Sequence, residues 1–189
     1  MSIDLNSEKQ TQFFHWTLLG IFLYCFVYMI TNFSIGKKRY AVFNPEFMSQ
    51  FNQENQEVFG KDAPKGGHPD DGNGYYSQKL SYLDWYEFQN WQRAHMNYLE
   101  QIAIVVTMVF ITAIHQPMWA MVSIYVMVIG RILYGLGYCR GGPKGRVLGA
   151  IIADIGLLSV LIGGFYSVFS WDKDQARYLP ISVEKFTSL

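Results

Sequence analysis

The stretch "WQRAHMNYLEQIAIVVTMVFITAI", Trp91–Ile114, decides the fold. Its second half is apolar enough to sit in lipid, yet its first two turns carry Arg93, His95, Asn97 and Glu100. On a helix, Arg93, Asn97 and Glu100 fall at i, i+4 and i+7 and share one face, whereas His95 lies off that stripe. The pattern predicts a membrane helix whose mouth is lined with strong hydrogen-bonding groups.

Three more stretches have the same character. Phe13–Ile35 has no formal charge apart from a proton on His15, Met118–Cys139 is interrupted by Arg131, and Val147–Trp171 is interrupted by Asp154. A hydrocarbon core about 30 Å thick needs roughly 20 helical residues, and each stretch is long enough. Lipid offers the backbone no hydrogen-bond partners, so the economical fold is an all-α, integral membrane four-helix bundle. Its helices are expected at about residues 13–35, 94–115, 118–139 and 147–170, within one membrane domain over residues 1–171. Composition agrees, because 50% of the 189 residues are hydrophobic and only 16% are charged, below the usual quarter. A net charge of zero gives no basic field for nucleic acid, and that class is set aside.

The connections assign the sides of the membrane. "GKKRY" (Gly36–Tyr40) follows the first stretch, and "RGGPKGR" (Arg140–Arg146) joins the third to the fourth. Both place positive residues on the same side, which the positive-inside rule makes cytosolic, with both termini opposite. The second and third stretches meet at a tight turn before Pro117. The connection after the first is long and polar at about residues 50–87, and "GKDAPKGGHPDDGNGYYSQ" at its centre argues against a packed core of its own. Residues 172–189 read as a polar tail. Cys25 and Cys139 lie in apolar segments as packing residues, with no metal-site spacing. The acidic N-terminus lacks the basic start of a cleaved signal peptide.

Arg131, Tyr134 and Tyr138 fall at i, i+3 and i+7, one face of the third helix, and Arg146 opens the fourth. Three helix ends therefore offer guanidinium, amide, carboxylate and phenol groups. Such a set suits a small zwitterionic ligand, because arginine forks onto carboxylates and Glu100 can accept an ammonium. Anchoring at the membrane edge accounts for the same residue types, since arginine snorkels and tyrosine lines interfaces. Arg131 tips the balance toward a site, because it stands several residues inside a span, where charge is costly and faces a bundle interior.

These residues also carry a family likeness. "FQNWQRAHMNYLEQ" (Phe88–Gln101), "GRILYGLGYCRGGPKGRVLGA" (Gly130–Ala150) and "KKRYAVFNPEFMS" (Lys37–Ser49) resemble the membrane-associated proteins of eicosanoid and glutathione metabolism. The nearest likeness is to the type 3 microsomal glutathione transferase branch. The resemblance implies a homotrimer that binds glutathione as co-substrate at subunit interfaces near the cytosolic face. Carried over by position, Arg93, Asn97 and Glu100 would hold its polar ends, with Arg131, Tyr134 and Tyr138 from a neighbouring helix or subunit. Lys38, or Lys37 beside it, matches a basic position after the first helix, and His95 a polar position that contacts the peptide. Arg146 matches the arginine that stabilises the glutathione thiolate. A thiol of pKa near 8.5 is mostly protonated at neutral pH, and a guanidinium beside it raises the reactive fraction.

The resemblance thus implies a membrane-bound glutathione transferase or peroxidase acting on lipophilic electrophiles or lipid hydroperoxides. It favours the endoplasmic reticulum, with a mitochondrial membrane as the alternative. Three departures set a non-catalytic subunit of a larger membrane complex, recruited through residues 50–87, beside the enzyme. The first connection is longer than the family's, and Asp154 stands where relatives are apolar, with Arg131 as its expected partner. Gln101 replaces a tyrosine of the leukotriene-synthesising branch, which argues against that activity.

Overall fold

The computed structural model describes residues 5–169; the tail expected at 172–189 lies outside them. All regular structure among the described residues is helical. Four long helices, α1 (Leu5–Val42), α4 (Tyr82–His115), α5 (Pro117–Gly145) and α6 (Val147–Phe169), are long and apolar enough to cross a membrane. Between α1 and α4 lie two short helices, α2 (Pro45–Ser49) and α3 (Asn52–Phe59), and two single 3₁₀ turns.

Three of the long helices outrun the apolar stretches that announce them. At about 1.5 Å per residue, the 38 residues of α1 and the 34 of α4 exceed the hydrocarbon thickness by roughly 27 and 21 Å. Local signals fix several ends. Ser81 caps α4 by accepting from the Asp84 amide at 3.1 Å while its hydroxyl donates to the Asp84 carboxylate at 2.7 Å. Asn44 caps α2, its Oδ1 accepting from the Phe47 amide at 2.9 Å, with Pro45 in the first turn. Gly142, at φ 61°, breaks the helical path of α5 just before Pro143.

The described residues form two compact units. The first holds the start of α1, the second half of α4, the first half of α5 and nearly all of α6. Its core is built from Tyr24, Val105, Val109, Ile124, Met127 and Val160, all essentially buried. Small residues set its helix spacing. A Cβ added to Gly130 would sit 2.4 Å from the Ala153 backbone nitrogen, so α5 and α6 approach backbone to backbone. Hydroxyls then cross-link the helices: Thr17 donates to the Pro117 carbonyl (3.1 Å) and Thr112 to that of Val160 (3.0 Å). Arg131 is buried here and donates to Gln101 Oε1.

Asp154 overturns an expectation. It is exposed on α6 and makes no ion pair with Arg131, whose guanidinium is taken up by Gln101 and faces the Tyr24 phenol. The helical period explains this: Ala153, one residue earlier, takes the inward position against Gly130 and turns Asp154 outward.

The second unit holds the end of α1, the connector of residues 43–81, the first half of α4 and the end of α5 with its turn into α6. Here the expectation of a long polar loop without a core is corrected. Ile35, Val42, Phe43, Met48, Phe51, Tyr76 and Phe88 form one buried cluster, with Phe47, Leu80 and Trp91 packed on it. The polar centre of the connector borrows its core from aromatics at both of its ends, which its composition conceals. Asp70 organises that centre, its carboxylate accepting from the amides of Gly72 (2.8 Å), Gly74 (2.8 Å) and Ser77 (2.7 Å). Burial alone raises the Asp70 pKa, but these bonds outweigh it and hold the carboxyl below the ordinary carboxylate value. Arg39 ties the connector to α1 by donating to the carbonyls of Gly66 and Asp70, with its guanidinium 5.5 Å from the Phe88 ring centre.

Candidate functional site

The second unit brings four of the expected residues together. Asn97 on α4 donates from Nδ2 to the Tyr134 hydroxyl oxygen at 2.6 Å. Arg146 donates to the same oxygen from Nη1 at 2.8 Å. The guanidinium also lies 5.7 Å from the centre of the Tyr134 ring and 5.3 Å from that of Tyr138, and the two rings are 5.7 Å apart. One arginine is thus held by a phenol oxygen and two aromatic faces.

Glycines make this arrangement. A Cβ on Gly137 would sit 2.1 Å from the Gly145 carbonyl oxygen, so only glycine lets the α5–α6 turn fold back against α5. A Cβ on Gly149 would sit 2.1 Å from the Tyr134 amide nitrogen, which presses the first turn of α6 onto the same stretch. Arg146 is the residue between these contacts. Its hydrogen bond to Tyr134 pushes its pKa above the usual arginine value, so it is charged at every accessible pH.

The remaining expected residues are placed differently. Arg93 and Glu100 are exposed and make no hydrogen bond or ion pair among the described residues. Of the predicted stripe, only Asn97 reaches α5. His95 turns to α1, where its ring stacks on Tyr28 at 5.2 Å, and Tyr28 in turn meets Tyr98 edge-on at 5.8 Å. Lys38 is engaged by Glu87 at 2.6 Å. Arg131 belongs to the first unit with Gln101 and Tyr24.

Sequence reasoning missed three residues that organise the two units, each within its own unit. Gln101, noted only as a replaced tyrosine, stands one turn beyond Asn97 and accepts from Arg131; that i, i+4 spacing was the available signal. Arg39, inside the "KKRY" run, and Asp70, flanked by glycines, carried no local mark to separate them from neighbouring charges.

An arginine held beside two phenols, near the water end of apolar helices, can stabilise an anion that forms there. Exposed Arg93 and Glu100 offer groups of opposite sign to a zwitterionic molecule. Fold and site therefore define an all-helical integral membrane protein with a charged, aromatic site at one set of helix ends. The chain belongs to the MAPEG family, whose model matches residues 13–166. That family includes glutathione transferases and peroxidases as well as non-catalytic members. Comparison with curated proteins gave no match, and neither did comparison with solved structures.

Proposed function

We propose that this protein is a membrane-bound glutathione transferase or peroxidase of the type 3 microsomal kind, serving lipophilic electrophiles or lipid hydroperoxides. The observation that carries the reading is Arg146, held by the Tyr134 hydroxyl and facing the rings of Tyr134 and Tyr138. Glutathione fits the residues present: it bears two carboxylates, an ammonium and a thiol, and the chain offers Arg93, Glu100 and Arg146 in turn. When bound, it supplies the sulfur nucleophile or the reducing equivalents for a hydroperoxide. Arg93 binds a carboxylate and Glu100 the ammonium. Arg146 holds negative charge at the sulfur, lowering the thiol pKa. Asn97 fixes the Tyr134 phenol and, through it, Arg146. The exposure of Arg93 and Glu100 suits a homotrimer in which a neighbouring subunit completes the site.

A second reading has specific support. Lys38 is closed off by Glu87 and Arg131 by Gln101, so two cations that the family likeness assigns to glutathione already have partners. A non-catalytic subunit that retains the fold accounts for this. Saturable glutathione binding to the detergent-purified protein separates the two. The enzyme reading expects binding that weakens in Arg93→Ala and a glutathione thiolate absorbance that vanishes in Arg146→Ala. A well-folded sample that binds no glutathione would overturn it and leave the subunit reading.

A further inference from the structure

Asp154 has no role in the site just described, and its surroundings are unusual. It stands seven residues into α6, about 10 Å from the helix start and inside the apolar span. It is exposed, and no hydrogen bond or ion pair reaches it among the described residues. The side chain is too short to reach water along the helix as a lysine or arginine would. A carboxylate at such a depth has a partner, and Arg131, the arginine that stands inside a span among the described residues, is engaged by Gln101.

The face around it has the spacing of a packing seam. Ile151, Ile155, Leu158, Ile162, Phe165 and Phe169 follow one another at steps of four, three, four, three and four, and all are more than half exposed. That is the a/d repeat of a left-handed helix pair, and Asp154 falls on its flanking g position, where charge pairs select the partner. Lipid tails satisfy the apolar residues of this seam but not the carboxylate.

We propose that the outer face of α6 docks a membrane-spanning helix of a different protein, one that carries a lysine or arginine level with Asp154. Charge complementarity selects that occupant over a second copy of this chain. Two copies inserted in the same sense and joined along this seam would set the g position of each against the e position of the other, so Asp154 would face Ser159, which offers it no positive charge. Among the described residues, the exposed lysines and arginines that flank the spans, Lys9, Lys37, Arg93, Arg140 and Lys144, all stand outside the apolar runs, whereas Asp154 lies well inside one. The exposed cations of a second copy therefore sit at the membrane edge and not at this depth. The inference holds whether or not the protein binds glutathione.

The test places a photo-crosslinking amino acid at Leu158 of the full chain in its own cellular membrane. The expected product is a discrete heteromeric adduct whose linked peptide is a membrane-spanning segment containing lysine or arginine. The adduct falls about tenfold or more in Asp154→Leu and in the isosteric Asp154→Asn, and it persists in Asp154→Glu, as the loss of a charge partner within a span requires. Asp154→Leu suits an apolar helix, and unchanged helicity by circular dichroism excludes misfolding as the cause. An adduct between two copies of the chain, adducts with lipid alone, or a heteromeric adduct undiminished in Asp154→Leu would each overturn the proposal.

Discussion

Arg146 concentrates the proposed chemistry at the scale of single residues. Replacing it with alanine removes the guanidinium that donates to the Tyr134 hydroxyl. Thiolate formation on bound glutathione at neutral pH is expected to be lost and kcat to fall by about 10²-fold, as when one anion-stabilising donor is removed. Glutathione affinity should change far less, since Arg93 and Glu100 remain. Binding isotherms and turnover with a hydrophobic electrophile measure the two effects separately. Tyr134→Phe tests the support beneath it. Asn97 and Arg146 both lose their acceptor, at a cost of about 1–3 kcal/mol in stability. The thiolate should form at a pH nearer that of free glutathione, which a spectroscopic titration reads. The Lys38–Glu87 pair, with the Glu87 side chain 49% exposed, contributes little by comparison, so Lys38→Ala is expected to leave the melting temperature nearly unchanged.

The connector is the informative case among the elements, because one buried carboxylate organises its polar centre. The folded-state pKa of Asp70 lies below its unfolded value, so its contribution is complete above about pH 4. It fades as the pH falls through the folded value, where protonation breaks the bonds to Gly72, Gly74 and Ser77. Limited proteolysis should show the connector opening in that acidic window while the long helices resist. Asp70→Ala should produce the same opening at neutral pH. The α5–α6 contact makes a further prediction. Gly130→Ala drives a methyl group against the Ala153 backbone and is expected to cost about 1–3 kcal/mol, seen as a lower melting temperature in detergent.

For the molecule as a whole, the exposed Arg93 and Glu100 bear on assembly. If neighbouring subunits complete the site, chemical cross-linking in mild detergent gives a trimer, and glutathione binding is lost when the trimer is dissociated. A monomer that binds glutathione as tightly would remove the need for a shared site. The outward seam of α6 predicts contact with a different membrane protein, so the two interfaces can be separated by mutation: Arg93→Ala should leave the heteromeric adduct intact, and Asp154→Leu should leave the trimer intact.

Much of this protein was legible in its residues alone. The four spans follow from apolar runs long enough for lipid, because a backbone without water has no alternative to the helix. The closeness of Asn97, Tyr134, Tyr138 and Arg146 was also within reach, since helical period puts them on facing stripes and a glycine-rich turn folds Arg146 back. What the residues could not reveal depends on contacts between elements distant in the chain. The connector looked coreless because its buried aromatics lie at its two ends and meet only when α1 and α4 hold them together. Arg131 and Asp154 look like natural partners by charge, yet Gln101 reaches the arginine first and the outward register of α6 leaves the aspartate exposed. Hydrophobic period is a local property and survives in one dimension. Which donor meets which acceptor depends on the rotation and spacing of packed helices, and only the tertiary structure decides that.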